Sequence, residues 1–130
     1  MGKVHGRLGG TMRLGSYPCT LKKDSMAYAI YQQTEIFKRY RHRYGFNALF
    51  RQSFEAAGMV FSGYTLDDDR IEIVELQDHP YFIGVQFHPE LKSRVFDPHK
   101  LFLALIKVVL ARSNSKFLVE KNYLYGTKSN

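Results

Sequence analysis

Cys19 is the only cysteine in this sequence, so no internal disulfide can form. A secretory apolar core is missing from the N-terminus as well, and the two absences together point to an intracellular protein, with the cytoplasm as the expected compartment. Long apolar runs are scarce. The longest, LFLALIKVVLA from Leu101 to Ala111, is broken by Lys107 and falls short of the roughly 20 residues that a membrane span requires. It reads instead as a core helix. The opening MGKVHG carries Gly6 where a myristoylation signal needs Ser or Thr, which discounts a lipid anchor. Negative charge is also in short supply: 12 Asp and Glu face 19 Lys and Arg, for a formal charge of +7. That balance favours anionic partners such as nucleic acid, nucleotide phosphate or acidic lipid, without choosing among them. What is present, 130 residues at 45% hydrophobic, suffices for one compact domain or part of one.

Five glycines between Gly2 and Gly15 mark a loop or a set of tight turns, without the Gly-Lys-Ser/Thr ending of a phosphate-binding P-loop. Tyr17 to Leu21 reads as a strand, and Asp24 stands where an N-cap would open a helix through SMAYAIYQQ. EIFKRYRHRYGF lacks helical apolar spacing and is expected to run extended into Asn47. Asn47 can cap ALFRQSFEAAG, whose Phe50, Phe54 and Ala57 share a face, with Gly58 as the left-handed stop. Three strands are expected next, in MVFSGYTL, RIEIVEL and YFIGVQF, the first two joined by a polar hairpin through Asp67, Asp68 and Asp69. A calcium-binding EF-hand loop starting at Asp67 would need Gly at its sixth position, where Glu72 stands. Asp97 and Pro98 then open a helix from His99 to about Arg112, apolar on nearly every face and so expected to lie against a sheet. The remainder to Asn130 is a polar tail. No internal repeat is visible, and His5, His42, His79, His88 and His99 show no metal-ligand spacing.

The segment VQFHPELKSR carries the chemistry. In extended chain His88 and Glu90 fall on one face, and Pro89 between them has a fixed φ and no N–H to compete for the carboxylate. A carboxylate so placed can hold an imidazole in one tautomer and stabilise its cation, as the base of a nucleophilic enzyme needs. On the residues alone, a His and a Glu two apart are also common on any surface.

GGTMRLG (9–15), RHRYGFN (41–47) and EIVELQDHPYFIGVQFHPE (72–90), with the spacing between them, closely resemble the glutamine amidotransferase domain of the CTP synthase family. The resemblance covers residues 9 to about 111, and His-Pro-Glu by itself would indicate only the wider class of triad glutamine amidotransferases. It implies an α/β fold: part of a three-layer domain with central sheet strands and flanking helices, here lacking the half that bears the nucleophile. It also implies a conversion of UTP to CTP with ATP, magnesium and ammonia from glutamine. His88 matches the family's base, Glu90 its orienting carboxylate, and Arg43 its glutamine-binding arginine. UTP, ATP and metal belong to a synthetase domain upstream of anything present, so no cofactor is expected in this stretch. The family works as a homo-oligomer.

The family's nucleophilic cysteine sits in a Gly-x-Cys-x-Gly elbow ahead of the Gly-Gly-Thr-Met segment, whereas Cys19 follows that segment in SYPCTL with no flanking glycine. Cys19 therefore reads as a small buried hydrophobe, and this chain alone is expected to be inactive. Lys38, Tyr40 and Gly45 replace the family's Glu, His and Glu, removing two carboxylates and adding a cation beside the expected glutamine pocket. The expected organisation is a poorly matching start (1–8), the C-terminal portion of the amidotransferase domain (9–112) and a tail (113–130). Two alternatives stand beside it: a small basic nucleic-acid-binding module built on KRYRHRY, and a non-catalytic interaction fragment. The family pattern already accounts for most of KRYRHRY, which favours a solvated basic edge over nucleic-acid binding.

Overall fold

The computed structural model describes residues 13–42, 44–67 and 69–125. Strands β1 (Arg13–Leu21), β2 (Glu35–His42), β3 (Met59–Tyr64), β4 (Ile71–Leu76) and β5 (Ile83–Val85) form one sheet in the order β2-β1-β3-β4-β5. Every pairing is antiparallel. Helices α1 (Met26–Tyr31), α2 (Arg51–Ala56) and α3 (Lys100–Tyr125) flank it, giving a mixed α/β architecture.

β1 starts at Arg13, ahead of the expected Tyr17, because its register with β2 runs from Arg13 opposite His42 to Thr20 opposite Glu35. Gly15 makes the longer strand possible: its φ of 109° is one that side-chain-bearing residues rarely adopt. The hairpin between β3 and β4 forms where expected, closed by the Thr65 N–H donating to the Arg70 carbonyl. Within it Gly63 lies opposite Ile73, and a Cβ on Gly63 would stand 2.5 Å from Ile73 Cγ1. The missing side chain is what admits Ile73 to the core, where it is fully buried. Ile73 packs there with Cys19, Leu21, Ala27, Tyr31, Ile36 and Phe87.

Ser25, rather than Asp24, caps α1, its Oγ accepting from the Tyr28 N–H at 3.1 Å. Ser25 is buried and Asp24 points to solvent, so only the serine can reach the helix's unpaired N–H groups. The rest of that helix end is completed from across the sheet. Buried Glu75 of β4 accepts from Met26 N–H at 2.7 Å through Oε1 and from Ala27 N–H at 3.1 Å through Oε2. α1 has no acidic residue of its own in the first turn, and this distant carboxylate supplies the negative charge that a helix N-terminus favours.

Asn47 caps the next segment, with Oδ1 accepting from Leu49 N–H, but a 3₁₀ turn over Ala48–Phe50 precedes α2. The expected Phe50, Phe54 and Ala57 face is therefore not a buried one; all three are exposed. α2 is held instead through Phe46, which stacks edge-on with Phe54 and tilted against buried Phe61. Gly58 stops the helix at φ 93° as expected.

α3 departs furthest from expectation. It continues to Tyr125 instead of ending near Arg112; its start meets α1 and receives the Tyr81 hydroxyl at the Leu101 carbonyl. Leu101 is buried, whereas Phe102, Leu105, Ile106, Val109 and Leu110 are exposed. The expectation that nearly every face of this helix lies against a sheet is therefore not met at these positions. No helix among the described residues is long and apolar enough to cross a membrane.

The Glu75 bond is the one most exposed to test. Glu75→Ala should lower the unfolding free energy by about 3 kcal/mol in a urea titration followed by circular dichroism, since two helix N–H groups lose a charged acceptor. A loss below about 1 kcal/mol would show that apolar packing alone positions α1.

Candidate active site

β5 pairs with β4 through Ile73–Val85, Val74–Gly84 and Glu75–Ile83, and the chain leaves the sheet after Val85. Phe87 anchors the exit by burying its ring in the core. The next residue reaches across to the opposite edge, where the His88 N–H donates to the Arg39 carbonyl of β2 at 3.4 Å. Lys92 Nζ donates to the neighbouring Phe37 carbonyl at 3.3 Å. β2 and β5 are the two edges in the strand order, so these bonds require the sheet to curl until its ends approach.

Between the two bonds the chain forms a 3₁₀ turn, Pro89–Lys92, with His88 at its N-cap in extended conformation. Proline is suited to the first position, since it has no N–H to leave unpaired and its φ is preset. The turn brings His88 Nδ1 to 2.7 Å from Glu90 Oε1. Strand alternation is thus not what joins the pair, because β5 has already ended; the contact forms across the start of the turn. The side chains are 42% and 59% exposed, so a substrate can reach them.

The backbone N–H of Glu90 itself and then the His88 side chain hold the Glu90 carboxyl below the ordinary value of 4.5, against a small opposing effect of burial. An ionised carboxylate only accepts, so in neutral His88 the proton must sit on Nδ1 and the lone pair on Nε2. Nε2 makes no hydrogen bond among the described residues. The imidazole is oriented through Nδ1, with Nε2 left without a partner among the described residues, an arrangement able to accept a proton from an incoming group.

Arg43 lies outside the described residues. Cys19 is fully buried in β1 opposite Ile36, enclosed by the core and out of a substrate's reach. Among the described residues no three His, Cys, Asp or Glu side chains converge as a metal site would need. The sequence reading missed the bonds that carry His88 to β2. Their acceptors are backbone carbonyls, which leave no residue-type signal. It also placed the opening of α3 at Asp97 and Pro98, whereas the helix starts at Lys100 and His99 caps it, its Nδ1 accepting from the Leu101 N–H.

The family profile for class-I glutamine amidotransferases matches residues 2–108. The chain belongs to that family. Its relatives within the family are CTP synthases: it is 56% identical over 111 residues to the CTP synthase of Neorickettsia sennetsu and 52% identical over 104 residues to that of Aquifex aeolicus. Those alignments cover 84% and 80% of this chain but 20% of each relative, so the chain spans about a fifth of the length of the curated relatives it matches. Among solved structures, the Trypanosoma brucei CTPS glutaminase domain with bound acivicin superposes with a TM-score of 0.72 at 30% identity, over 78% of this chain and 41% of that one.

A carboxyl-resolved NMR titration checks the local electrostatics of the His88–Glu90 pair. Glu90 should titrate below 4.5, and because its pKa is depressed in the folded state, the pairing is present above the ordinary carboxylate range and lost as pH falls through the lowered value. His88→Ala should raise the midpoint only part of the way, since the Glu90 backbone N–H contributes more than the imidazole. A midpoint at or above 4.5 in the parent chain contradicts the arrangement.

Proposed function

We propose that this chain supplies the base-bearing part of a glutaminase site in a CTP synthase, with residues 9–112 forming that portion of the amidotransferase domain. His88 is the general base, Glu90 its orienting carboxylate, and Arg43 the partner of the glutamine α-carboxylate. The observation that carries the reading is the 2.7 Å contact between His88 Nδ1 and Glu90 Oε1 beside an open Nε2.

In this reading Nε2 of His88 takes the proton of an attacking thiol, whose sulfur adds to the side-chain amide carbon of glutamine. The imidazolium, stabilised by Glu90, then returns a proton to the departing ammonia, leaving a glutamyl thioester that water hydrolyses. The sequence's single cysteine is sealed in the core, so the thiol comes from a segment other than this chain, which by itself does not turn over glutamine. Glutamine is the substrate of this part. In the whole enzyme, a cytoplasmic homo-oligomer in this proposal, ATP and magnesium activate UTP for attack by the released ammonia.

The test is a chimera in which this chain replaces the matching segment of the Neorickettsia sennetsu CTP synthase. His88→Ala in the chimera should lower glutamine-dependent CTP formation by about 100-fold or more while ammonia-dependent formation persists. Equal loss of both would make His88 a structural residue, and full retention of the glutamine reaction would remove it from the mechanism. The isolated chain should show no labelling of Cys19 by a thiol-trapping glutamine analogue.

A further inference from the structure

A second cluster lies apart from His88 and Glu90, in a pocket of about 290 Å³ between α1, β2 and the start of α3. Three lysines line it, Lys38, Lys92 and Lys100. Lys38 is half-buried, with Nζ 3.0 Å from His99 Nε2 and 4.6 Å from the centroid of the Tyr31 ring. Lys100 Nζ donates to the Tyr31 carbonyl and Lys92 Nζ to the Phe37 carbonyl, each with further N–H bonds that have no acceptor among the described residues. No ion pair neutralises any of the three among the described residues. Glu35 and Asp97 also line the pocket, yet neither comes within ion-pair distance of a lysine.

His99 completes the mismatch. It is buried, and its Nδ1 accepts from the Leu101 N–H at 3.2 Å, capping α3. A neutral His99 must then carry its proton on Nε2, facing the Lys38 ammonium, so two donors meet. Tyr31 Oη, 3.5 Å from the same Nε2, brings a further hydroxyl to the spot. Burial first and then the neighbouring lysines push Lys38 down to about 8 and His99 down to about 4, with no offset from either carboxylate.

We propose that this pocket binds a phosphate-class dianion, held by Lys38, Lys92 and Lys100 with His99 Nε2–H and Tyr31 Oη at its base. A tetrahedral oxyanion accepts from all of these donors and separates Lys38 from His99, and no described side chain does either. The site is independent of the glutaminase reading, since it uses neither His88 nor Glu90. Lys38, the residue that replaces a family glutamate, is its centre. Glutamate there could accept from His99 directly and pair with Lys92 or Lys100, which would close the pocket to anions.

The experiment is NMR titration of the full chain with inorganic phosphate and, separately, phenyl phosphate, against sodium chloride at matched ionic strength. The His99 ring and Lys38 Nζ resonances should shift saturably with phosphate and not with chloride. Lys38→Glu should weaken binding at least about tenfold while the circular dichroism spectrum is retained. Tighter phenyl phosphate identifies a monoester as the occupant, tighter inorganic phosphate the free ion, and either supports the site. Shifts no larger than those from chloride, or binding by Lys38→Glu within about threefold of the parent, overturn it. Should Lys38→Glu fail to fold, Lys100→Ala decides: about tenfold weaker binding supports the site and unchanged binding removes it.

Discussion

The buried carboxylate of Glu75 is the contact from which the rest of the arrangement follows. It ties the first turn of α1 to β4 across 48 and 49 residues of sequence. α1 is only six residues long, too short to hold itself together in water, so its position is set by this bond, the Ser25 cap and apolar packing. Tyr31 ends that helix and lies edge-on to His99, which starts α3. β4 also carries β5, and β5 delivers the chain to His88. One carboxylate therefore sets the common frame for both histidine clusters, although it belongs to neither.

The two clusters show how neighbours give one residue type opposite characters. His88 is partly exposed, faces a carboxylate and sits at the start of a turn, with no partner for Nε2 among the described residues. His99 is buried, faces lysines and spends Nδ1 on the backbone of its own helix. Burial and then the lysine neighbours oppose the imidazolium of His99. The first environment suits proton transfer, and the second keeps its ring neutral through the physiological range.

Much of the strand pattern could be read directly, because β3, β4 and β5 are short apolar runs bounded by Asp or Gly and their period needs no tertiary context. The Asn47 cap and the Gly58 stop followed from backbone chemistry that is likewise local. What escaped was decided at a distance. Nothing in SMAYAIY signals that Glu75 completes its helix, and the choice of Ser25 over Asp24 depends on which of the two is turned inward. The apolar faces of α3 were read as core because hydrophobicity reports a preference for burial, and not whether a covering surface is present. His88 and Glu90 could be paired from sequence, but through the wrong geometry: the strand that was supposed to align them had already ended at Val85, and the contact forms across the start of the Pro89–Lys92 turn.

The turn Pro89–Lys92 also does something for β2 that has no connection with proton transfer. β2 is an edge strand, and its Phe37 and Arg39 carbonyls would otherwise face outward as a template for another chain. The backbone of His88 and the side chain of Lys92 occupy them. The His88–Glu90 contact and the covering of the β2 edge therefore fall on the same short stretch. A change to the backbone of that turn would uncover the β2 edge as well as move the imidazole from its carboxylate.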